Sequence, residues 1–342
     1  MKLVEVSGDA KAIGRATGEA LRDEIRDHLE RFPQREHEKS EWSRRLPAFL
    51  DTLKAHLPEV LAEMDATAEG AGVPVEEIYR LNLPLYPNSL VVDEGCTNVA
   101  FADGPDGPVW GKNNDGGKPH NRRPPCARVV KRDDAIPNVV FTFCGMVATT
   151  DGMNAEGLAV GHSSVGSVFQ QSDRHVPIRP WAYEAMLACR TTEEFVRFMA
   201  SRPTRGKGYS MVCVDRKGVA CSVEAPCPIV QVRRPEGDVP HTYCVNCYLS
   251  RPLTEADRRK PEGKVNALSR SRFFQGKLAE PLDFSVADMK AILRHHGDPS
   301  ICRHGGKDLS FTEYSMIGLP QERRVLYLDG SPCEKKYLAV GL

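Results

Sequence analysis

The sequence predicts an α+β layered fold, and three observations carry the prediction. Helical patterns open the 342-residue chain, strand-like runs dominate from residue 96 onward, and turn-rich segments separate those runs. Strands gathered in one part of a chain and helices in another read as α+β rather than as alternating βαβ units. No internal repeat, low-complexity segment or linker interrupts the chain. Residues 1–342 therefore read as a single domain, long enough to bury a substantial core.

The elements follow in order. Residues 9–30 repeat apolar positions at Ile13, Ala16, Ala20, Leu21, Ile25 and Leu29. Residues 45–70 do so at Leu46, Phe49, Leu50, Leu53, Leu57, Leu61 and Met64. Steps of three and four mark one buried helical face. Strand runs are expected at 128–131, 138–148, 157–162, 211–214, 219–223, 229–232 and 243–245. Helical patterns interrupt at 181–200 and 286–295, and strands return at 314–318, 324–328 and 336–340.

One stretch brings chemistry with it. Glu94-Gly95-Cys96-Thr97 leads into Asn98–Ala102, then five turn formers, Asp103 to Gly107, then Pro108–Asp115. Two short apolar segments around consecutive turn residues read as a β-hairpin. Antiparallel pairing would place Cys96 roughly opposite Asp115, with directly opposed Cα atoms about 4.5–5.5 Å apart. A thiol beside a positioned carboxylate is a candidate nucleophile. The dipeptide alone proves little, because 28 Gly and 11 Cys give about one Gly-Cys pair by chance. A free cysteine is also commonly a small buried hydrophobe.

Composition excludes several classes. Forty-six basic and 46 acidic residues cancel, so no charge footprint for nucleic acid or a membrane surface is present. No run approaches a transmembrane span. The Met1–Val6 stretch lacks an apolar h-region, so no signal peptide is expected. Eleven scattered cysteines fit reduced thiols in the cytoplasm better than a disulfide framework.

Further motifs stand in order along the chain: Ala12-Ile13-Gly14-Arg15-Ala16-Thr17-Gly18, Glu63–Val73 followed by Leu81-Asn82, Gly95-Cys96-Thr97, and Gly111-Lys112-Asn113-Asn114-Asp115. They continue with Asp151-Gly152-Met153-Asn154-Ala155-Glu156-Gly157-Leu158, Val245-Asn246, Ser269-Arg270-Ser271-Arg272-Phe273 and Gly330-Ser331-Pro332-Cys333. Together they resemble the amide hydrolases and acyltransferases with an N-terminal nucleophile. The closest branch is the acyl-coenzyme A:6-aminopenicillanic acid acyltransferase family, with choloylglycine hydrolases as relatives. The resemblance spans nearly the whole chain. It implies a four-layer αββα sandwich of two antiparallel sheets between helical layers.

It also implies roles. Cys96 would attack the Gly95 carbonyl and cut the chain into 1–95 and 96–342, and the two fragments would remain associated. The exposed α-amino group, with an ordinary pKa of roughly 7.7–8.0, would then serve as base beside its own thiol. Asp115 would accept a hydrogen bond from that amino group; otherwise it is a hairpin-end carboxylate. Asn246 would supply an oxyanion donor, or else cap a turn. Arg272 would set a positive charge near the thiolate; otherwise it is a surface helix arginine. Lys112 and Asn114, where relatives carry arginine and an aromatic residue, would make the pocket entrance more polar. His162, Ser163 and Ser164 would line the pocket, while Asn154 builds a turn.

Other constellations carry less. Cys244-x-x-Cys247 has zinc or redox spacing but no second ligand pair at a suitable distance, and Cys302-Arg303-His304 is similarly isolated. No metal is expected, and with no nucleotide-binding motif no cofactor is either. Three functions stay open: an amidase acting on a linear amide through a Cys96 acyl-enzyme, an acyltransferase on the same intermediate, and a non-enzymatic or thiol-redox protein using Cys244 and Cys247, with Cys96 structural. The first two take a small-molecule amide or acyl donor as partner.

Overall fold

The computed structural model describes residues 1–85, 95–117, 119–169, 172–237, 239–308 and 310–342. Glu94, which opens the hairpin run, lies outside them. The chain starts with a strand, Lys2–Gly8, that the sequence reading passes over. Helices Ala10–Ala20, Arg22–Arg31, Glu36–His56, Pro58–Ala71 and Val75–Asn82 follow. Each periodic window thus covers parts of two helices. Pro58 is one reason: its missing N–H is harmless only in a first helical turn, so it starts a new helix. The Asp9 side chain caps the first helix by accepting from the Ala12 N–H at 2.7 Å.

The helices Ala10–Ala20 and Pro58–Ala71 pack backbone to backbone. A Cβ added at Gly14 or Gly18 would collide with the carbonyls of Glu63 and Thr67, and one at Gly70 with that of Arg15. The two N-terminal motifs are therefore the two sides of one close helix contact.

Among the described residues eight strands form the larger sheet, in the order Lys2–Gly8, Pro125–Arg132, Asn138–Phe143, Gly152–Asn154, Ala159–Ser164, Tyr209–Val214, Ala220–Ala225, Gln231–Arg233. Six form the second: His241–Cys244, Thr97–Phe101, Val109–Gly116, Phe311–Leu319, Arg324–Asp329, Leu338–Gly341. The sheets are antiparallel with one correction to expectation. Lys2–Gly8 runs parallel to Pro125–Arg132, with five helices and the strands Thr97–Phe101 and Val109–Gly116 of the other sheet between them in the chain. The expected helix at 181–200 divides into Ile178–Ala188 and Thr192–Ala200, the second capped by Thr191.

The core lies in layers. Ile13, Leu53, Met64, Val140, Tyr183 and Met211 join the helices to the larger sheet. Trp110, Val129, Phe141, Met316 and Tyr327 fill the space between the sheets. Val99, Phe101, Phe274, Met289 and Ile317 join the smaller sheet to helices Pro261–Lys277 and Val286–Leu293. This is the helix–sheet–sheet–helix order. One charged group crosses the first layer: Arg128 donates to Glu63 at 2.9 Å, and Tyr183 donates to the same carboxylate at 3.1 Å. Among the described residues no helix is long and apolar enough to cross a membrane.

Candidate active site

The hairpin forms where the turn residues place it, with strands Thr97–Phe101 and Val109–Gly116. Its register pairs Thr97 with Asn113 and Asn98 with Lys112. One step further along that register, Cys96 faces Asn114 and Gly95 faces Asp115. Cys96 is thus offset by one residue from the position expected of it. Its Sγ lies 3.7 Å from Asn114 Oδ1 and 3.8 Å from the Asp115 carbonyl oxygen. The side chain is 2% exposed.

Two buried arginines hem in the Gly95–Cys96 peptide. Arg270 Nη1 donates to the Cys96 carbonyl at 2.7 Å, and its Nη2 donates to Asn246 Oδ1 at 2.8 Å. Arg303 stands against Gly95 so closely that a Cβ there would collide with its guanidinium. Any residue but glycine would displace it. Asn266 Oδ1 accepts from both, from Arg270 Nε at 3.1 Å and Arg303 Nη2 at 2.6 Å. Burial, with the Arg303 charge beside it, pulls Arg270 down to about 9, which leaves it cationic at neutral pH.

Arg272 does not join this group. It lies exposed on helix Pro261–Lys277, whose buried face carries Ala267, Arg270, Ser271 and Phe274. Arg270, two residues earlier, occupies the place expected of Arg272. The signal was in the sequence: Ala267 and Phe274, three before and four after, mark Arg270 as facing inward. Arg303 and Asn266 carried no comparable signal.

Asp115 accepts from Thr312 Oγ1 at 2.9 Å, and its Oδ2 lies 3.7 Å from Arg303 Nε. Burial pushes its carboxyl up to about 6, against the pull of Arg303 and Arg270. Asn246 donates from Nδ2 to the Ser164 carbonyl at 2.7 Å. Ser163 donates from Oγ to the Cys96 carbonyl at 3.2 Å. Asn114 donates to Glu313 at 3.0 Å.

Lys112 is not at an entrance. It is fully buried, donates to Asp151 at 2.9 Å and to the His162 carbonyl at 2.5 Å, and reaches the pocket through those residues. His162 Nδ1 lies 2.8 Å from Asp151 Oδ1. An ionised Asp151 can only accept, so Nδ1 carries the proton and Nε2 the lone pair. Burial acts to raise Asp151, but His162 and Lys112 outweigh it and hold the carboxyl well below the usual range. Burial lowers His162 to about 4, so it is neutral at pH 7. The sequence shows Asp151 only as the start of a turn motif. Asn154 in that motif does build the turn, accepting from the Glu156 and Leu158 N–H groups.

A small pocket connects these groups. Cys96, Asn114, Asp115, His162, Arg123 and Tyr314 are among its walls. About 20 Å³ of it is open to the centre of a water molecule, which is room for about one water. Ser163 and Ser164, both expected to line the pocket, lie outside that lining, as do Asn246, Arg270 and Arg303. Cys244 and Cys247 do not pair: they sit in separate apolar clusters, and burial pushes their thiols up to about 12 and about 11. A buried, protonated thiol is a poor redox group.

The layered α+β fold is that of the N-terminal nucleophile hydrolases, a class of enzymes. The chain belongs to the acyl-coenzyme A:6-aminopenicillanic acid acyl-transferase family, whose model matches residues 103–317. Cys96 stands just before that span. Among solved structures it is similar to a mutant of the conjugated bile acid hydrolase from Clostridium perfringens, at 11% identity and a TM-score of 0.52, over 72% of this chain and 92% of that one. It is also similar to an N-acylethanolamine-hydrolyzing acid amidase orthologue from Caenorhabditis elegans, at 12% identity and a TM-score of 0.48, over 66% and 93%. No curated protein matches the chain.

Proposed function

We propose that this protein is a self-processing cysteine amidohydrolase, cutting its own chain between Gly95 and Cys96 and then hydrolysing a small linear amide through a Cys96 acyl-enzyme. The supporting observation is the buried Cys96 thiol beside Asn114 and Asp115, with Arg270 on its carbonyl and Arg303 against Gly95. The thiol attacks the Gly95 carbonyl, the C–N bond breaks as the Cys96 nitrogen takes up the thiol proton, and the Gly95 acyl group passes to sulfur as a thioester. One water then hydrolyses the thioester, leaving the Gly95 carboxylate and the Cys96 amine. Arg303 is placed to steady charge on the Gly95 side of this step, and Arg270 to hold the Cys96 carbonyl still.

In the processed enzyme the new amine takes the proton of its own thiol and later returns it to the leaving amine. Asp115 orients that amine. Asn246 uses one N–H on Ser164, which fixes its amide plane, and offers the other to the oxyanion. Small substrates and a reducing, cytoplasmic setting suit the narrow pocket and eleven cysteines, none of them in a disulfide.

Acyl transfer is the second reading, favoured by the family's own description. The same acyl-enzyme would then be resolved by an amine instead of water. Incubating enzyme with an amide and a competing amine, and quantifying free acid against new amide, separates them. Mainly new amide at millimolar amine would promote the transferase.

The test of processing is direct. Wild-type protein should run as two fragments on a denaturing gel, with masses summing to the intact chain plus one water. Cys96→Ala should stay whole. If both remain full length, self-processing is wrong, and the amino-group base falls with it.

A further inference from the structure

Four ligand-type side chains that this chemistry does not use converge beside the second sheet. They are His296, Cys302, His304 and Cys333, whose ligand atoms all lie within 4.8 Å of one another. His296 follows helix Val286–Leu293, Cys302 and His304 precede strand Phe311–Leu319, and Cys333 follows strand Arg324–Asp329. We propose that they form a structural zinc site of the Cys2His2 type.

Four of the six edges of the cluster match those of a single ion's ligand shell. His296 Nε2 is 3.1 Å from His304 Nε2, and Cys302 Sγ is 3.5 Å from Cys333 Sγ. His304 Nε2 lies 3.7 Å from the Cys302 sulfur and 3.3 Å from that of Cys333. Tetrahedral zinc with Zn–S about 2.3 Å and Zn–N about 2.0–2.1 Å requires sulfur pairs about 3.8 Å apart, nitrogen pairs about 3.3 Å and mixed pairs about 3.6 Å. These four separations run within a few tenths of an ångström of those figures, and the two edges from His296 to the sulfurs stay within 4.8 Å.

Two further features agree. His304 Nδ1 lies 3.4 Å from Glu334 Oε1, the arrangement in which a carboxylate holds the far nitrogen of a ligating imidazole. Two sulfurs and two imidazoles favour zinc over the oxygen-seeking magnesium and calcium, and four protein donors leave no open position for a substrate. Binding releases the two thiol protons, and the dication with two thiolates is neutral. His296, Cys302 and His304 lie close in sequence, and only Cys333 comes from a segment further along the chain.

The site would clamp backbone on both sides of Arg303, which lies between two ligands. Arg303 Nη2 reaches Asn266 at 2.6 Å, and its Nε faces Asp115 at 3.7 Å. On the proposed self-processing chemistry, the metal makes Arg303 a positioning residue for the Gly95–Cys96 bond. The metal itself is tested without that chemistry.

Full-length protein should be expressed with zinc supplied, purified without chelator, and assayed for metal by mass spectrometry. Wild type and Cys96→Ala should each carry about one zinc per chain. Exchange with cobalt should give the intense visible bands of a tetrahedral thiolate site. Cys333→Ala, truncating an exposed side chain, and His296→Gln should stay folded by circular dichroism yet lose tenfold or more of the bound metal. Zinc-free wild type with no tetrahedral cobalt spectrum would overturn the site. So would an intact mass two hydrogens light that maps to a Cys302–Cys333 disulfide. Slower self-cleavage in Cys333→Ala, restored neither by reductant nor by time, supports the coupling to Arg303. Unchanged cleavage in a metal-free variant removes the coupling.

Discussion

At the scale of single residues, the most informative comparison is between two arginines one helical half-turn apart. Arg270 is buried on the Cys96 carbonyl and Arg272 is exposed. Arg270→Ala should lower kcat by roughly two to three orders of magnitude, as for loss of one well-placed donor, and slow processing as well. Arg272→Ala should leave both within a factor of about two, since surface changes are usually worth under about 0.5 kcal/mol. Gel kinetics and steady-state rates check the pair. Equal loss in both variants would return the role to Arg272. Asn246→Ala, read by kcat and KM separately, should lose kcat by a similar factor; a change confined to KM would assign it to substrate binding. Asp115 adds a pH signature. Its carboxyl titrates near 6, and only the ionised form can hold an ammonium or accept its proton. The acid limb of kcat/KM should therefore fall through about pH 6. A profile flat down to pH 5 would take Asp115 out of the ionising set.

Secondary elements explain what the sequence made legible. The hairpin was readable because Asp103 to Gly107 form an unbroken turn signal between apolar runs. Its register was wrong by one residue, because turn length alone does not say where the loop leaves the ladder. The helix Pro261–Lys277 was readable only as a motif. Half of its buried face is Arg270 and Ser271, so no apolar stripe announces it. The Lys2–Gly8 strand escaped because its outward residues, Lys2, Glu5 and Ser7, are polar and its partner lies far along the chain. The candidate-site carboxylate and thiol came from local pairing, whereas Arg303 and the approach of Cys333 to His296, Cys302 and His304 depend on tertiary packing. The glycine pair of the first helix gives a stability test. Gly18→Ala puts a Cβ against the carbonyl of Thr67 and must push the helix Pro58–Ala71 away, an overpacking change of typically 1–3 kcal/mol. Chemical denaturation of the Cys96→Ala background measures it, and an unchanged midpoint would mean the helices separate freely.

For the whole molecule, acid stability rests on two histidines held neutral. Burial lowers His28 and His162 each from 6.5 to about 4, and His28 donates to the Cys144 carbonyl at 2.6 Å. Between those values the unfolded chain binds protons that the native chain does not, so stability rises with pH across that window. Asp115 opposes them between 3.8 and about 6, where the native state holds the extra proton. Glu63, which burial also pushes up, acts with Asp115, while His241 and His295, lowered by burial, act with the other two histidines. His28→Gln keeps a donor for Cys144 and should flatten the slope; urea midpoints at pH 4.5 and 7 give the answer. A slope unaltered by the substitution would assign the acid sensitivity elsewhere.

The Glu63–Arg128 pair has a further consequence at this scale. Glu63 belongs to residues 1–95 and Arg128 to residues 96–342, so the proposed cut would sever the chain between them while leaving their contact intact. Both are completely enclosed, and parting the pieces would strip each ion of its partner along with the apolar layer around it. The fragments should co-elute in native buffer and separate only in denaturant. Before the cut, refolding is a first-order event, since the pieces are one chain. Afterwards it depends on two molecules meeting, and dilution works against it. The durability of the processed protein would then be a lifetime, set by how rarely the halves let go rather than by how well they rejoin.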